Sequence, residues 1–276
     1  MTALRDIRSL LFVPAHQAAR FAKAGAAGAD VVCIDLEDAV PAAQRPQARA
    51  ALLEFLPQQP AGHGYGVRIS RLGCVDGLRD VLALHEAAAQ PAFVMLAKTE
   101  SAADIAQLAS LLPGLPLVAL IESARGLHAA AEVAATHAAY PALQALMFGG
   151  ADLAADLGCE MAWEPLLHAR SMLVAAAASA GLAAIDVPWL ALEDDAGALA
   201  ETQRAAALGY SAKALIHPSQ VAPVHEGLMP APAAVARARR VMAAAADDDG
   251  ALRLDGRLVD RPVVLAAQRL LRRADA

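Results

Sequence analysis

At 276 residues, 57% of them hydrophobic and 19% charged, the chain is long enough for one large core, or for a barrel with a short appendage. A formal net charge of -6 and the lack of any dense Lys/Arg run argue against nucleic acid or an anionic membrane as partner. Cys33, Cys74 and Cys159 have no metal-ligand spacing and read as reduced thiols of a cytoplasmic protein. No uncharged apolar stretch reaches membrane-span length, and Pro14 breaks the opening apolar run short of a secretory signal.

Strand and helix patterns then alternate along the chain. Residues 9–13 predict a first strand, followed by Pro14 and a helix over 15–27 that closes at Gly28. Residues 31–36 predict a second strand running into IDLEDAV, which carries Asp35, Glu37 and Asp38, with Pro41 placed where a helix can begin. After the turn-rich AGHG, residues 65–69 predict a third strand bearing Arg68. Residues 93–98 predict a fourth ending at Lys98, and Ser101 and Asp104 signal the next helix start. The fifth, 117–122, ends in Glu122. The sixth, 145–150, ends in Gly149 and Gly150, with Ala151 and Asp152 next. The seventh, 183–187, contains Asp186, and the eighth, 212–217, is stopped by Pro218.

Eight such units within residues 1–226 predict an α/β fold, a (β/α)8 TIM barrel, with chemistry at the C-terminal ends of its strands. Those ends collect Asp35, Glu37, Arg68, Lys98, Glu122, Asp152 and Asp186. Glu122 and Asp152 lie one strand–helix–strand interval apart, so one rim can carry both. Two readings fit them: a shared divalent cation, or separate carboxylates favoured at helix starts by the helix dipole. No G-x-G-x-x-G follows the first strand, which leaves dinucleotide binding unsupported.

Residues 227–276 differ in composition and predict a small C-terminal segment. Its parts are a Pro-bounded helix, a solvated acidic loop at 247–249, two short strands joined by an Asp-Gly turn at 255 and 256, and a basic final helix.

The ordered motifs RSLLFVPAHQAARFAKAGAAGADVVCIDLEDAV, VRIS, MLAKTESAAD, ALIESARG, MFGGADLAADLG, KALIHPSQV and LDGRLVDRPVV resemble the citrate lyase beta-subunit-like CoA-ester lyases of the HpcH/HpaI aldolase superfamily. That group includes malyl-CoA and citramalyl-CoA lyases, and the resemblance spans nearly the whole chain. It implies an oxo-acid lyase, dependent on Mg2+ with Mn2+ as a substitute, that cleaves or forms the bond between a 2-oxo acid and the acetyl-CoA enolate. It also implies a homotrimer, or a dimer of trimers, whose lid covers a neighbouring active site.

Residue by residue, the resemblance makes Glu122 and Asp152 the metal ligands, and two carboxylates without His or Cys suit a hard ion. Arg68 matches the arginine that faces substrate, although as a strand-end residue it equally suits an ion pair with Asp35 or Glu37. Asp35 and Lys98 read as supporting residues, and Glu37 as support or as a participant in proton transfer. Lys98 also raises Schiff-base catalysis as a rival mechanism, which the surrounding carboxylates oppose by keeping the ammonium protonated. Backbone N–H groups around Gly149, Gly150 and Ala151 are candidates to bind a substrate carboxylate; a plain strand-to-helix turn is the other reading. Arg20 and Lys23 correspond to basic positions near the CoA phosphates, or to a solvated helix face. His217 reads as structural. Asp260 matches the lid acid/base group, or caps the final helix.

The chain departs from the family pattern at Ala15, His16, Gln17, Ser70, Ala97, Gly150 and Ala151, none of them a proposed ligand. The favoured reaction is (S)-citramalyl-CoA to acetyl-CoA and pyruvate, with malyl-CoA next. A citrate-lyase-type subunit acting on an acyl carrier protein and a non-catalytic binding barrel are the alternatives.

Overall fold

In the computed structural model, which describes residues 4–60, 64–246 and 252–274, eight parallel strands close into a barrel in sequence order. They are β1 (Ser9–Pro14), β2 (Val31–Asp35), β3 (Gly64–Ile69), β4 (Val94–Leu96), β5 (Leu117–Ile121), β6 (Leu143–Phe148), β7 (Ala183–Asp186) and β8 (Ala212–Leu215). Helices α1 (Phe21–Gly25), α2 (Arg45–Phe55), α3 (Val75–His85), α4 (Ala102–Leu111), α5 (Ala124–Ala135), α6 (Gly150–Leu157), α7 (Trp163–Ser179), α8 (Asp195–Leu208) and α9 (Val221–Leu228) intervene or follow. This is the TIM-barrel α/β fold expected from the alternation of patterns. The expected loop at 247–249, together with His63, lies outside the described residues.

Strand side chains alternate, and the alternation sorts the chain into an inner and an outer set. Leu10, Val31, Cys33, Phe93, Met95, Ala97, Val118, Leu120, Ala145, Met147, Ala183, Ile185, Ala212 and Ala214 form one buried cluster inside the barrel, joined by Leu4 and Ile7 from the segment before β1. Gly66 is required there, because a Cβ would collide with the Phe93 ring. Continuing each inward series by two residues reaches Asp35, Arg68, Glu122 and Gly149 at the C-terminal ends of β2, β3, β5 and β6. Thus the packing that fills the barrel also aims those positions at one mouth.

Local chemistry sets the helix starts. Ser101 caps α4 in a reciprocal pair with Asp104, the capping box its sequence predicts. Ser123 caps α5, and Asp194 caps α8. The first helix is shorter than the predicted 15–27. The Gln17 N–H is tied to the Pro14 carbonyl in a turn, a single 3-10 turn follows at Ala18–Arg20, and α1 starts only at Phe21.

The chain divides into two compact units, Met1–His225 and Glu226–Ala276. The second holds α10 (Pro232–Ala246), a hairpin of β9 (Leu252–Leu254) and β10 (Arg257–Val259), and α11 (Arg261–Ala274). Asp255 and Gly256, at φ 50 and φ 75, make the predicted Asp-Gly turn. Ala238, Val241, Val259 and Ala267 form its core.

Candidate active site

The inward series delivers acids and one arginine to the barrel mouth. A cavity of about 200 Å³ there is lined by Asp35, Asp38, Arg68, Glu122, Gly149, Ala151 and Asp152, with Phe12, Leu120, Met147, Met161, Val187, Leu190 and Ile216 as apolar walls. Glu122 and Asp152 therefore face the same space, as their spacing allows.

Arg68 is anchored from behind. Its Nε and Nη2 donate to the two oxygens of Asp35 at 2.7 and 2.6 Å, and its guanidinium lies 5.0 Å from the centre of the Phe12 ring. Asp35 in turn accepts the N–H groups of Glu37 and Ala39. Burial opposes the arginine's charge, but the Asp35 carboxylate more than offsets it and the pKa is raised. Asp35 thus holds Arg68 in place from behind.

Lys98 departs from the strand alternation. Ala97 completes the inward series of β4, so an extended Lys98 would point outward. Instead it takes a left-handed φ of 51, a conformation costly for a residue with a Cβ. Its backbone N–H donates to Glu122 Oε1 at 2.7 Å, which holds that carboxylate toward the mouth. Its ammonium reaches Glu37 Oε1 at 2.6 Å, Asp152 Oδ2 at 3.1 Å and Asp38 Oδ1 at 3.4 Å. Burial disfavours this charge, yet Glu37 and its acidic neighbours outweigh burial and raise the pKa, so the amine stays protonated.

Glu37 stands behind the mouth rather than in it. Its carboxylate is engaged by Lys98 and the Asp38 N–H, with Arg68 Nη1 3.6 Å away. Asp38, rather than Glu37, lines the cavity. Asp38 was visible in IDLEDAV as the third acid of the motif but carries no assigned role there.

Glu122 is 5% exposed. Burial, followed by the charge of Glu37, pushes its pKa up to about 8 despite Arg68 nearby. Gly149 is tied to this residue: a Cβ at 149 would overlap the Glu122 side chain. The Gly149 N–H, though, is committed to the Ile121 carbonyl at 2.9 Å. The donors offered by this turn are those of Gly150, Ala151 and Asp152, which a helix start leaves without intrahelical partners.

Arg20 and Lys23 are exposed and share a second cavity of about 290 Å³ with His217 and Pro218; it has Phe12 and Ile216 in common with the mouth. His217 caps a 3-10 turn, its Nδ1 accepting from the Ser219 N–H, which agrees with a structural role. Asp260, in the second unit, accepts from the Val263 N–H at 3.3 Å and so caps α11.

Asp186 does not belong to the mouth. It has the opposite parity to Ile185, faces the helices, and pairs with Lys213 at 2.6 Å and Arg170 at 3.0 Å. Arg170 lay unmarked in the alanine-rich run of α7. A matching family model describes these elements together: HpcH/HpaI aldolase/citrate lyase, over residues 8–218. The chain belongs to that family, and its homologues are lyases and other CoA-ester-processing enzymes.

A citrate lyase subunit beta-like protein of Mycobacterium tuberculosis is 41% identical over 271 residues, covering 96% of this chain and 94% of its own length. An L-malyl-CoA/beta-methylmalyl-CoA lyase of Cereibacter sphaeroides is 33% identical over 306 residues, at 98% and 95% coverage. Among solved structures, CitE from Mycobacterium tuberculosis in complex with magnesium, acetoacetate and coenzyme A is 40% identical and superposes with a TM-score of 0.85, over 99% of this chain and 100% of that one. No described helix is long and apolar enough to cross a membrane.

Proposed function

We propose that this chain is a cytoplasmic, Mg2+-dependent CoA-ester lyase that cleaves (S)-citramalyl-CoA to acetyl-CoA and pyruvate. The observation that carries the reading is the pair Glu122 and Asp152 on one cavity with Arg68. The donor set fits the ion: two carboxylates with no His or Cys suit a hard cation that keeps positions for water and substrate. Magnesium and CoA in the related CitE complex support the same choice. When bound, such a cation supplies Lewis-acid polarisation and a template for the 2-oxo acid.

The chain's own residues account for the rest. Glu122 and Asp152 hold the cation, and the N–H groups of Gly150 to Asp152 bind the carboxylate of the 2-oxo acid. Arg68, with Nε and Nη2 fixed on Asp35, turns its remaining edge to the thioester oxygen, where negative charge collects as the carbon–carbon bond opens. Lys98 and Glu37 keep Arg68 and Asp152 in place. Arg20 and Lys23, one cavity away, suit the CoA phosphates. Asp260, on the lid of a neighbouring copy in a homotrimer, serves as acid/base group and shields the enolate from water.

The methyl of citramalyl-CoA is favoured over the hydrogen of malyl-CoA because Met147, Val187, Leu190 and Ile216 wall the mouth. One methyl in such a pocket is worth about 1–3 kcal/mol, roughly a 10- to 200-fold preference. Purified protein with Mg2+ and a panel of hydroxyacyl-CoAs tests the reading. Acetyl-CoA release that a chelator abolishes is expected; activity only with a carrier protein makes the chain a complex subunit, and free CoA without acetyl-CoA makes it a hydrolase. Asp260→Asn is expected to lower turnover with Mg2+ affinity nearly intact, and unchanged turnover refutes the lid role.

A further inference from the structure

Beside the mouth, on its β7 side, lies a cavity of about 210 Å³ that no step above uses. Met161, Pro188 and Leu190 line both spaces, so the two adjoin. Ala162, Leu166 and Ala191 extend the apolar wall, and Arg170, Trp189 and Glu201 make it polar at one end.

That polar end is built. Arg170 is 2% exposed, with its guanidinium 4.6 Å from the Trp163 ring centre and 5.1 Å from that of Phe148. Its Nε donates to Asp186 at 3.0 Å and its Nη2 lies 3.7 Å from Glu201. Its Nη1 and the indole Nε1 of Trp189 are buried and have no hydrogen-bond partner among the described residues. Buried donors without acceptors are uncommon in folded proteins and carry a real cost. The charges at this end already balance, Arg170 and Lys213 against Asp186 and Glu201.

We propose that this cavity is a side-chain pocket for the 2-oxo acid, receiving an unbranched aliphatic substituent of three or four carbons, best with an uncharged hydrogen-bond acceptor at its end. The inference rests on the proposed reaction and extends its substrate class beyond pyruvate. The volume holds on the order of seven water-sized groups, enough for such a chain. An acceptor meets the spare N–H groups, whereas a second carboxylate would unbalance the four paired charges in a partly apolar space.

The experiment uses the whole protein with Mg2+ and three probes: pyruvate, 2-oxohexanoate and 2-oxoglutarate. The chain has 2 tryptophans, and both belong to this region, Trp189 in the wall and Trp163 on Arg170. Tryptophan emission therefore reports occupancy independently of catalysis. A saturable change with 2-oxohexanoate is expected, absent with pyruvate and weaker with 2-oxoglutarate. Ala191→Phe, at an exposed wall position, or Ala162→Phe should raise the 2-oxohexanoate concentration for half-change at least tenfold. The same variants should lower the kcat/KM ratio of 2-oxohexanoate to pyruvate, in condensation with acetyl-CoA, at least tenfold. No emission change with 2-oxohexanoate, or a ratio unmoved by both variants, overturns the pocket; a stronger response to 2-oxoglutarate overturns its ligand class. If the emission titration succeeds but no 2-oxo acid condenses with acetyl-CoA, the pocket stands and the reaction falls. Condensation of pyruvate without any emission response to 2-oxohexanoate is the reverse result.

Discussion

Two clusters of charge sit on the barrel, one at its mouth and one between its wall and the outer helices, and they have opposite character. At the mouth Asp35, Asp38, Glu122 and Asp152, with Glu37 behind them, are paired among the described residues with Arg68 and Lys98, an excess of carboxylate beside open space. Between β7, β8 and the helices, Arg170 and Lys213 meet Asp186 and Glu201 one for one, and Asp186 and Lys213 are 0% exposed. A balanced buried set holds elements together, while an unbalanced set at a cavity carries a surplus of negative charge that the proposed cation would offset.

The largest effect expected from this difference falls on the mouth. Asp152→Asn or Glu122→Gln should weaken Mg2+ binding by at least about 100-fold in calorimetry, beyond the loss caused by removing a mere supporting partner. Turnover should fall by about three orders of magnitude, the several kcal/mol a Lewis acid supplies. Both variants should fold at least as well as the parent, since each relieves carboxylate crowding. Retained Mg2+ affinity in both would erase the distinction between the clusters.

The balanced cluster should respond in the other currency. Asp186→Asn leaves Arg170 and Lys213 buried with Glu201 alone, and breaking such a pair costs about 3–5 kcal/mol. A lowered urea midpoint is expected, with Mg2+ affinity of the folded protein unchanged within about threefold. An unshifted midpoint would mean that solvent or a ligand reaches this network.

These contrasts explain how much the sequence disclosed. Alternation of patterns revealed all eight barrel strands, and their acidic ends pointed to the mouth. Asp186 misled because an acid at a strand end looks the same whichever way it faces; counting by two from Ile185 separates it from Glu122 and Asp35. Arg170 left no local trace, since its partners come from β7 and from α8, and a lone arginine in an alanine-rich helix resembles a solvated one. Lys98 lies two residues beyond β4, which ends at Leu96 rather than at Lys98, and its left-handed turn, which brings the ammonium round to Asp152, is a property of tertiary packing. The shortened α1 escaped because the turn at Gln17 depends on one backbone bond to Pro14.

A pH titration sharpens the comparison further. Burial raises the Glu122 pKa from its ordinary value of 4.5 to about 8, so folding of the metal-free protein favours its protonated form. That contribution is complete below about pH 4.5 and is lost as pH rises through about 8, at no more than about 1.4 kcal/mol per pH unit. The metal-free melting temperature should fall across this window. Added Mg2+ should restore it most at the alkaline end, where the carboxylate is free to bind. A melting temperature that rises with pH over this window, with and without Mg2+, would show that Glu122 is ionised throughout.

The smallest effect is expected at Lys98, which serves as the mouth's internal cation. Its ammonium is 32% exposed at the side chain and touches Glu37, Asp38 and Asp152. Partly exposed pairs of this kind are worth up to about 1 kcal/mol each. Lys98→Met removes a competitor for Asp152, so Mg2+ affinity should rise about three- to tenfold. Turnover should fall by less than about 100-fold, because Glu37 and Asp38 lose a partner but no proposed ligand is lost. A Schiff-base nucleophile would behave differently: Lys98→Met would abolish turnover, and borohydride with pyruvate would trap an adduct on the parent enzyme. The raised pKa and the three carboxylates around Nζ argue that no adduct forms, since a protonated amine cannot attack a carbonyl. Mass spectrometry after reduction distinguishes the two outcomes, and a trapped lysine would mean that the acidic excess activates an amine rather than holding a metal.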